Sequence, residues 1–142
     1  MNEYVVDVNI LFSSLLSQKE LYERLSEIGI FYTPDFSFTE LQKYRNVILK
    51  KSKSKTEKLK SFTVKLFKQI IVIPDYVITH ESLGKAIELC QKIDPKDTPY
   101  VALAIEFDCI LLTRDKPLYD GLKAKGFEKI MLFDEFVRNY LT

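Results

Sequence analysis

Residues Asp97 to Asp115, read D-T-P-Y-V-A-L-A-I-E-F-D-C-I-L-L-T-R-D, constrain the fold more than any other stretch. Asp97 with Thr98 and Pro99 reads as a helix start. The apolar helix that follows gives way, after a short turn, to Ile110-Leu111-Leu112. A short apolar run of this kind predicts a strand buried on both faces of a sheet. Thr113-Arg114-Asp115 closes it. A carboxylate therefore stands at each end of a helix–strand unit. In an open parallel sheet, ligands bind in the crevice beyond the carboxyl ends of the strands.

The rest of the chain repeats this unit. Tyr4-Val5-Val6, Ile30-Phe31-Tyr32, Ile71-Val72-Ile73 and Ile130-Met131-Leu132 predict further strands. Ile10, Leu11, Ser14 and Leu15 have helical spacing. Ser17-Gln18-Lys19-Glu20 fits a capping box and predicts a second helix through Leu21, Tyr22, Leu25 and Ile28, stopped by Gly29. Pro34-Asp35 leads into a helix with Leu41, Tyr44 and Ile48 on one face. Leu83, Ala86, Ile87 and Cys90 mark another, capped near Thr79. Pro117 to Lys125 reads as a short helix ending at Gly126, and Asp134 or Glu135 begins the last. The expected class is α/β: a three-layer α/β/α sandwich on a central, mainly parallel five-stranded sheet, one domain over residues 1–142.

One segment departs from that pattern. Lys43 to Lys68 holds ten Lys or Arg and a single acid, Glu57, while the remaining chain has an acidic balance. Lys50 to Lys55 is aperiodic; Leu59, Phe62, Leu66, Phe67 and Ile70 form an apolar stripe. The prediction is a basic helical hairpin inserted at about 43–70. Tyr44, Phe62 and Phe67 fit the core rather than base-stacking platforms. No apolar run approaches the roughly 18 residues that span a membrane, and no leader pattern opens the chain. Cys90 and Cys109 lack metal-ligand spacing. These features predict a cytoplasmic protein with buried reduced thiols and no membrane partner.

The carboxylates carry the chemistry. Asp7 follows the first strand and Asp115 the fourth. Glu40 lies on the helix after the second, and Asp97 opens the helix leading into the fourth. Parallel strands would bring all four acids to one edge. Unpaired, they would cost several kcal/mol or take up protons. A hard cation such as Mg²⁺ or Mn²⁺ removes the conflict. Each acid also has a plainer reading: Asp7 and Asp97 as helix caps, Glu40 as a solvated helix residue, Asp115 as a turn acid. Capping and ligation are compatible, because a cap needs only one oxygen. Asp94 is a turn residue or an aid to a second ion. Arg114 and the lysines Lys50, Lys51, Lys53 and Lys55 are solvated charges or grips for a phosphate backbone. His80 has no partner for a metal site or a triad.

Val6-Asp7-Val8-Asn9-Ile10-Leu11, Glu40-Leu41, Asp97 with Ala102 and Ala104, and Thr113-Arg114-Asp115 occur in an order and spacing that resembles the PIN-domain family, across nearly the whole chain. The resemblance implies a metal-dependent endoribonuclease with one or two Mg²⁺ or Mn²⁺ ions. Asp7, Glu40, Asp97 and Asp115 would form its catalytic, metal-holding cluster, with Asn9 and Thr113 orienting carboxylates or waters. It also implies an RNA substrate and, for VapC-type members, the toxin half of a type II pair silenced by a small antitoxin. This chain departs from compact toxins in its longer basic insertion. Phe36, Phe38 and Tyr119 are available to a homodimer or an antitoxin helix. The alternative is a non-catalytic RNA- or protein-binding module of the same fold. A phosphate-receiver domain fits poorly, since Met131-Leu132-Phe133 stands where a lysine would end the fifth strand.

Overall fold

The computed structural model describes residues 2–51 and 56–140. Its five strands are β1 (Asn2–Val6), β2 (Gly29–Pro34), β3 (Ile70–Ile73), β4 (Ile110–Thr113) and β5 (Ile130–Leu132), in the order β3-β2-β1-β4-β5 with every pair parallel. β1 lies at the centre, with β4 beside it.

Alternation along the strands builds two cores. Tyr4, Val6, Phe31 and Leu112 point to one face and meet α1 (Val8–Ser17), α2 (Phe36–Lys43), α4 (Thr56–Phe67) and α8 (Phe133–Tyr140). Val5, Leu111 and Ile130 point to the other and meet α5 (His80–Cys90), α6 (Thr98–Phe107) and α7 (Lys116–Ala124). The chain is thus a three-layer α/β/α sandwich. Aromatic rings hold the first core: Tyr22 stacks on Phe133 at 5.9 Å, and Phe136 meets Tyr4 edge-on at 5.0 Å. Each such ring buries enough apolar surface to contribute about 1.5–3 kcal/mol. Among the described residues, no helix is long and apolar enough to cross a membrane. Cys90 and Cys109 are free and buried, and burial pushes their thiols up to about 11 and about 12.

Several local expectations are corrected. Ser17 does not cap a second helix: it is the last residue of α1, which Gln18 ends with a left-handed backbone, φ 52°. Glu20–Glu23 and Leu25–Glu27 are two 3₁₀ turns instead. Tertiary packing overrides the local signal there. Tyr22 and Leu25 are buried, and the distant Gln69 supplies backbone partners, donating to the Tyr22 carbonyl at 2.7 Å and accepting from Ser26 N at 2.9 Å. Gly29 is not a helix stop but the first residue of β2. A Cβ there would lie 2.5 Å from the Asn2 carbonyl oxygen and 2.9 Å from the Tyr4 ring. Gly126 does follow α7 with φ 87°.

The helix predicted through Leu41, Tyr44 and Ile48 is broken at Tyr44 into α2 and α3 (Arg45–Lys51). Tyr44 is exposed, with its ring edge-on to Phe12 at 5.0 Å, whereas Phe62 is core as expected. The closing helix starts at Phe133, with Asp134 and Glu135 in its first turn. Of the basic segment, α3 and α4 are described; residues 52–55, with Lys53 and Lys55, lie outside the described residues.

Candidate functional site

The register of the central strands creates the site. Val6 pairs with Leu112, so the residues after them, Asp7 and Thr113, are neighbours at the carboxyl rim of the sheet. The Thr113 hydroxyl donates to Asp7 Oδ2 at 2.6 Å and accepts from Asp115 N at 3.0 Å. One fully buried hydroxyl therefore ties together two acid-bearing strand ends. Asp7 Oδ1 also caps α1, accepting from Ile10 N at 3.0 Å, and Asp115 Oδ1 caps α7, accepting from Leu118 N at 3.0 Å. Both acids are thus held by helix N-termini, whose dipole favours negative charge.

Asp97 is different. It ends a 3₁₀ turn, Pro95–Asp97, and makes no side-chain cap for α6. Its Oδ2 is buried without a hydrogen-bond partner. The helix-cap reading of Asp97 fails, and an unsatisfied carboxylate oxygen remains.

The electrostatics connect these groups. Burial pushes the Asp7 carboxyl up to about 6; the Asp115 charge adds to this, while the donors Thr113, Ile10 and Asn9 oppose it. Burial likewise pushes Asp97 up to about 7, reinforced by Asp94, then Asp115 and Asp7. Asp7, Asp97 and Asp115 are within electrostatic reach of one another, with Asp94 beside Asp97. Asp94 itself forms a local turn, Oδ1 accepting from Lys96 N at 3.0 Å. Glu40 is buried on α2 and accepts from Lys43 Nζ at 3.3 Å.

Tyr100 joins this set, and sequence reasoning missed it by assigning it to an apolar helix. It is 2% exposed, and its hydroxyl has no hydrogen-bond partner. Its pKa is raised by burial and then by Asp7, Glu40 and Asp97, with the Val8 backbone N–H opposing. The available signal was a phenol on the buried face of a helix, which calls for a polar partner.

The supporting residues divide. The Thr113 hydroxyl is bonded to the Asp7 carboxylate. Asn9 is exposed and reaches Asp7 only through its backbone N–H. Arg114 donates to the Tyr22 hydroxyl at 3.0 Å and lies 5.1 Å from the Phe133 ring centroid, so its guanidinium is anchored to the first core. Lys50 and Lys51 are exposed in the last turn of α3. A cleft of about 560 Å³ opens between α2, α5 and α6, walled by Phe36, Ile73, Ile78 and Pro99, and none of the four acids lines it.

The donor chemistry fits a hard cation: oxygen ligands, disfavoured as bare anions, and an orphaned buried carboxylate oxygen. Among the described residues, no three His, Cys, Asp or Glu side chains stand in metal-holding geometry. The acids share a rim and are not drawn into a closed cage.

Residues 5–133 match the model of the PIN domain. Among solved structures the chain is similar to VapBC2 from Rickettsia felis, bound to a DNA fragment from its promoter, with 19% identity, a TM-score of 0.59, and coverage of 92% of this chain and 96% of that one. It is also similar to VapBC-1 from nontypeable Haemophilus influenzae, with 16% identity, a TM-score of 0.62, and coverage of 93% and 98%. Among curated proteins, none gives a significant match.

Proposed function

This chain belongs to the PIN-domain family, and from that premise we propose that it is a metal-dependent endoribonuclease hydrolysing RNA phosphodiester bonds. The observation that carries the reading is Asp97, whose buried, unpartnered carboxylate oxygen belongs to a group raised in pKa by burial first and then by Asp94, Asp115 and Asp7. Asp7, Asp97 and Asp115, with Glu40, would hold one or two Mg²⁺ or Mn²⁺ ions. Such a cation would offset charge on phosphate oxygens and make a nearby water more acidic.

The chain's own residues do the remaining work. Thr113, Ile10 N and Leu118 N fix the orientation of Asp7 and Asp115 before substrate arrives, and preorganised groups need no rearrangement during reaction. Lys43, Lys50 and Lys51 place positive charge on the α2–α3 side, where it draws a polyanion toward an acidic rim. The proposal extends to a toxin held by a small antitoxin in the cytoplasm. Its support is the likeness in fold to two VapBC structures.

The open arrangement of the acids favours a second reading, a module of this fold that binds RNA or protein without cutting. One experiment separates the two. Purified protein with Mn²⁺ should cleave a mixed RNA pool, EDTA should stop it, and Asp97→Asn should abolish it. Binding without cleavage at saturating Mn²⁺ would select the second reading.

A further inference from the structure

Besides the Ser17 and Ser37 hydroxyls, two buried oxygens lack a hydrogen-bond partner among the described residues: Asp97 Oδ2 and Tyr100 Oη. Their chemistry is complementary. An ionised carboxylate only accepts, and a phenol can donate. They are three residues apart across the start of α6, a spacing that places side chains on one face. The Tyr100 ring is fixed there, 2% exposed and edge-on to Phe36 at 6.3 Å, so its hydroxyl cannot turn to solvent. Asp7, Glu40 and Asp97 are close enough to raise its pKa, and the Val8 backbone N–H near its oxygen, which could only donate to it, leaves the phenol proton free. Native proteins seldom leave such atoms unsatisfied, and a polar site of this kind is where a buried water is held.

We propose that Tyr100 is a positioning residue of the acid rim: its hydroxyl donates to one trapped water, which donates in turn to Asp97 Oδ2 and holds that carboxylate toward Asp7 and Asp115. This rests on the reading of those acids as a cation site. Removing the hydroxyl keeps the ring and its packing but releases the carboxylate. Partners that orient a ligand in this way typically carry about 10–100-fold in metal affinity.

The test is calorimetric titration of Mn²⁺ into the parent protein, Tyr100→Phe and Asp97→Asn, with the unfolding midpoint of each in EDTA as a control. Tyr100→Phe should keep its midpoint and bind Mn²⁺ about tenfold more weakly or worse. The parent should also show a tyrosine near-ultraviolet difference spectrum on Mn²⁺ addition that Tyr100→Phe loses. Tyr100→Phe binding Mn²⁺ as the parent does, while Asp97→Asn does not, would overturn the role of Tyr100 and leave the cation site standing. Unchanged binding in both variants would overturn the site and this role together. If Tyr100→Phe fails to fold, the parent spectrum decides: no tyrosine change at saturating Mn²⁺ refutes the proposal.

Discussion

Asp7→Asn should make the metal-free protein more stable while destroying its cation site. Asp7 is 3% exposed, and burial moves its carboxyl from the ordinary value of 3.8 to about 6. Between those values the folded state holds more protons than the unfolded chain, so stability falls as pH rises through that window and then levels off. At about 1.4 kcal/mol per pH unit, the ionised carboxylate costs the metal-free fold about 3 kcal/mol above pH 6. The amide removes the charge and keeps the shape. Its oxygen still accepts from Ile10 N, and its nitrogen can donate to Thr113 Oγ1, whose own proton then turns elsewhere. Allowing for that rearranged bond, the gain at pH 8 is about 2 kcal/mol, or about 6–8 °C in unfolding midpoint for a chain of this size. The assay is thermal unfolding in EDTA at pH 4.5 and pH 8. The parent should lose stability between the two, Asp7→Asn should lose less, the raised Asp97 carboxyl supplying the slope that remains, and in buffer without EDTA saturating Mn²⁺ should raise the parent alone. A variant less stable than the parent at pH 8, or an equal pH profile, would mean that the ionised Asp7 carboxylate does not destabilise the metal-free fold.

Three further outcomes follow from the geometry. Thr113→Val leaves Asp7 Oδ2 and Asp115 N without their shared partner and should destabilise the protein by about 1–3 kcal/mol, measured by urea unfolding. Gly29→Ala forces a methyl group to 2.5 Å from the Asn2 carbonyl oxygen, pushes β1 from β2, and should cost about 1–3 kcal/mol in the same assay. Because Asp97 takes up a proton near pH 7, Mn²⁺ must displace it below that pH. Affinity should fall by about tenfold between pH 8 and pH 6, with proton release on binding seen in buffers of different ionisation enthalpy.

The sheet was legible in the sequence because its strands are short apolar runs flanked by helical stripes, and because parallel crossovers allow few topologies. Asp7, Asp97 and Asp115 were legible for the same reason: each stands beside a strand or helix terminus that the topology sends to one rim. What escaped depends on distant partners. The Ser17–Glu20 box is locally sound, yet Gln69 satisfies the backbone of the following segment from far along the chain. Gly29 looks like a helix stop until β1 is laid beside it. Tyr100 reads as one more apolar residue in P-Y-V-A-L-A, because periodicity reports burial and not which polar atom a buried side chain brings with it. The Asn9 side chain is placed by the helix that carries it. Its place beside Asp7 in sequence puts its side chain on the exposed side of α1's first turn, and only its backbone faces the acid.

The claim that these acids share a cation is tested most directly by anomalous scattering from crystals of the full chain soaked in Mn²⁺. A manganese peak is expected at the carboxyl rim of β1 and β4, touching Asp7, Asp97 and Asp115, in the parent and not in Asp97→Asn. Manganese bound elsewhere, or no peak at saturating Mn²⁺ with all three acids ordered, would contradict it.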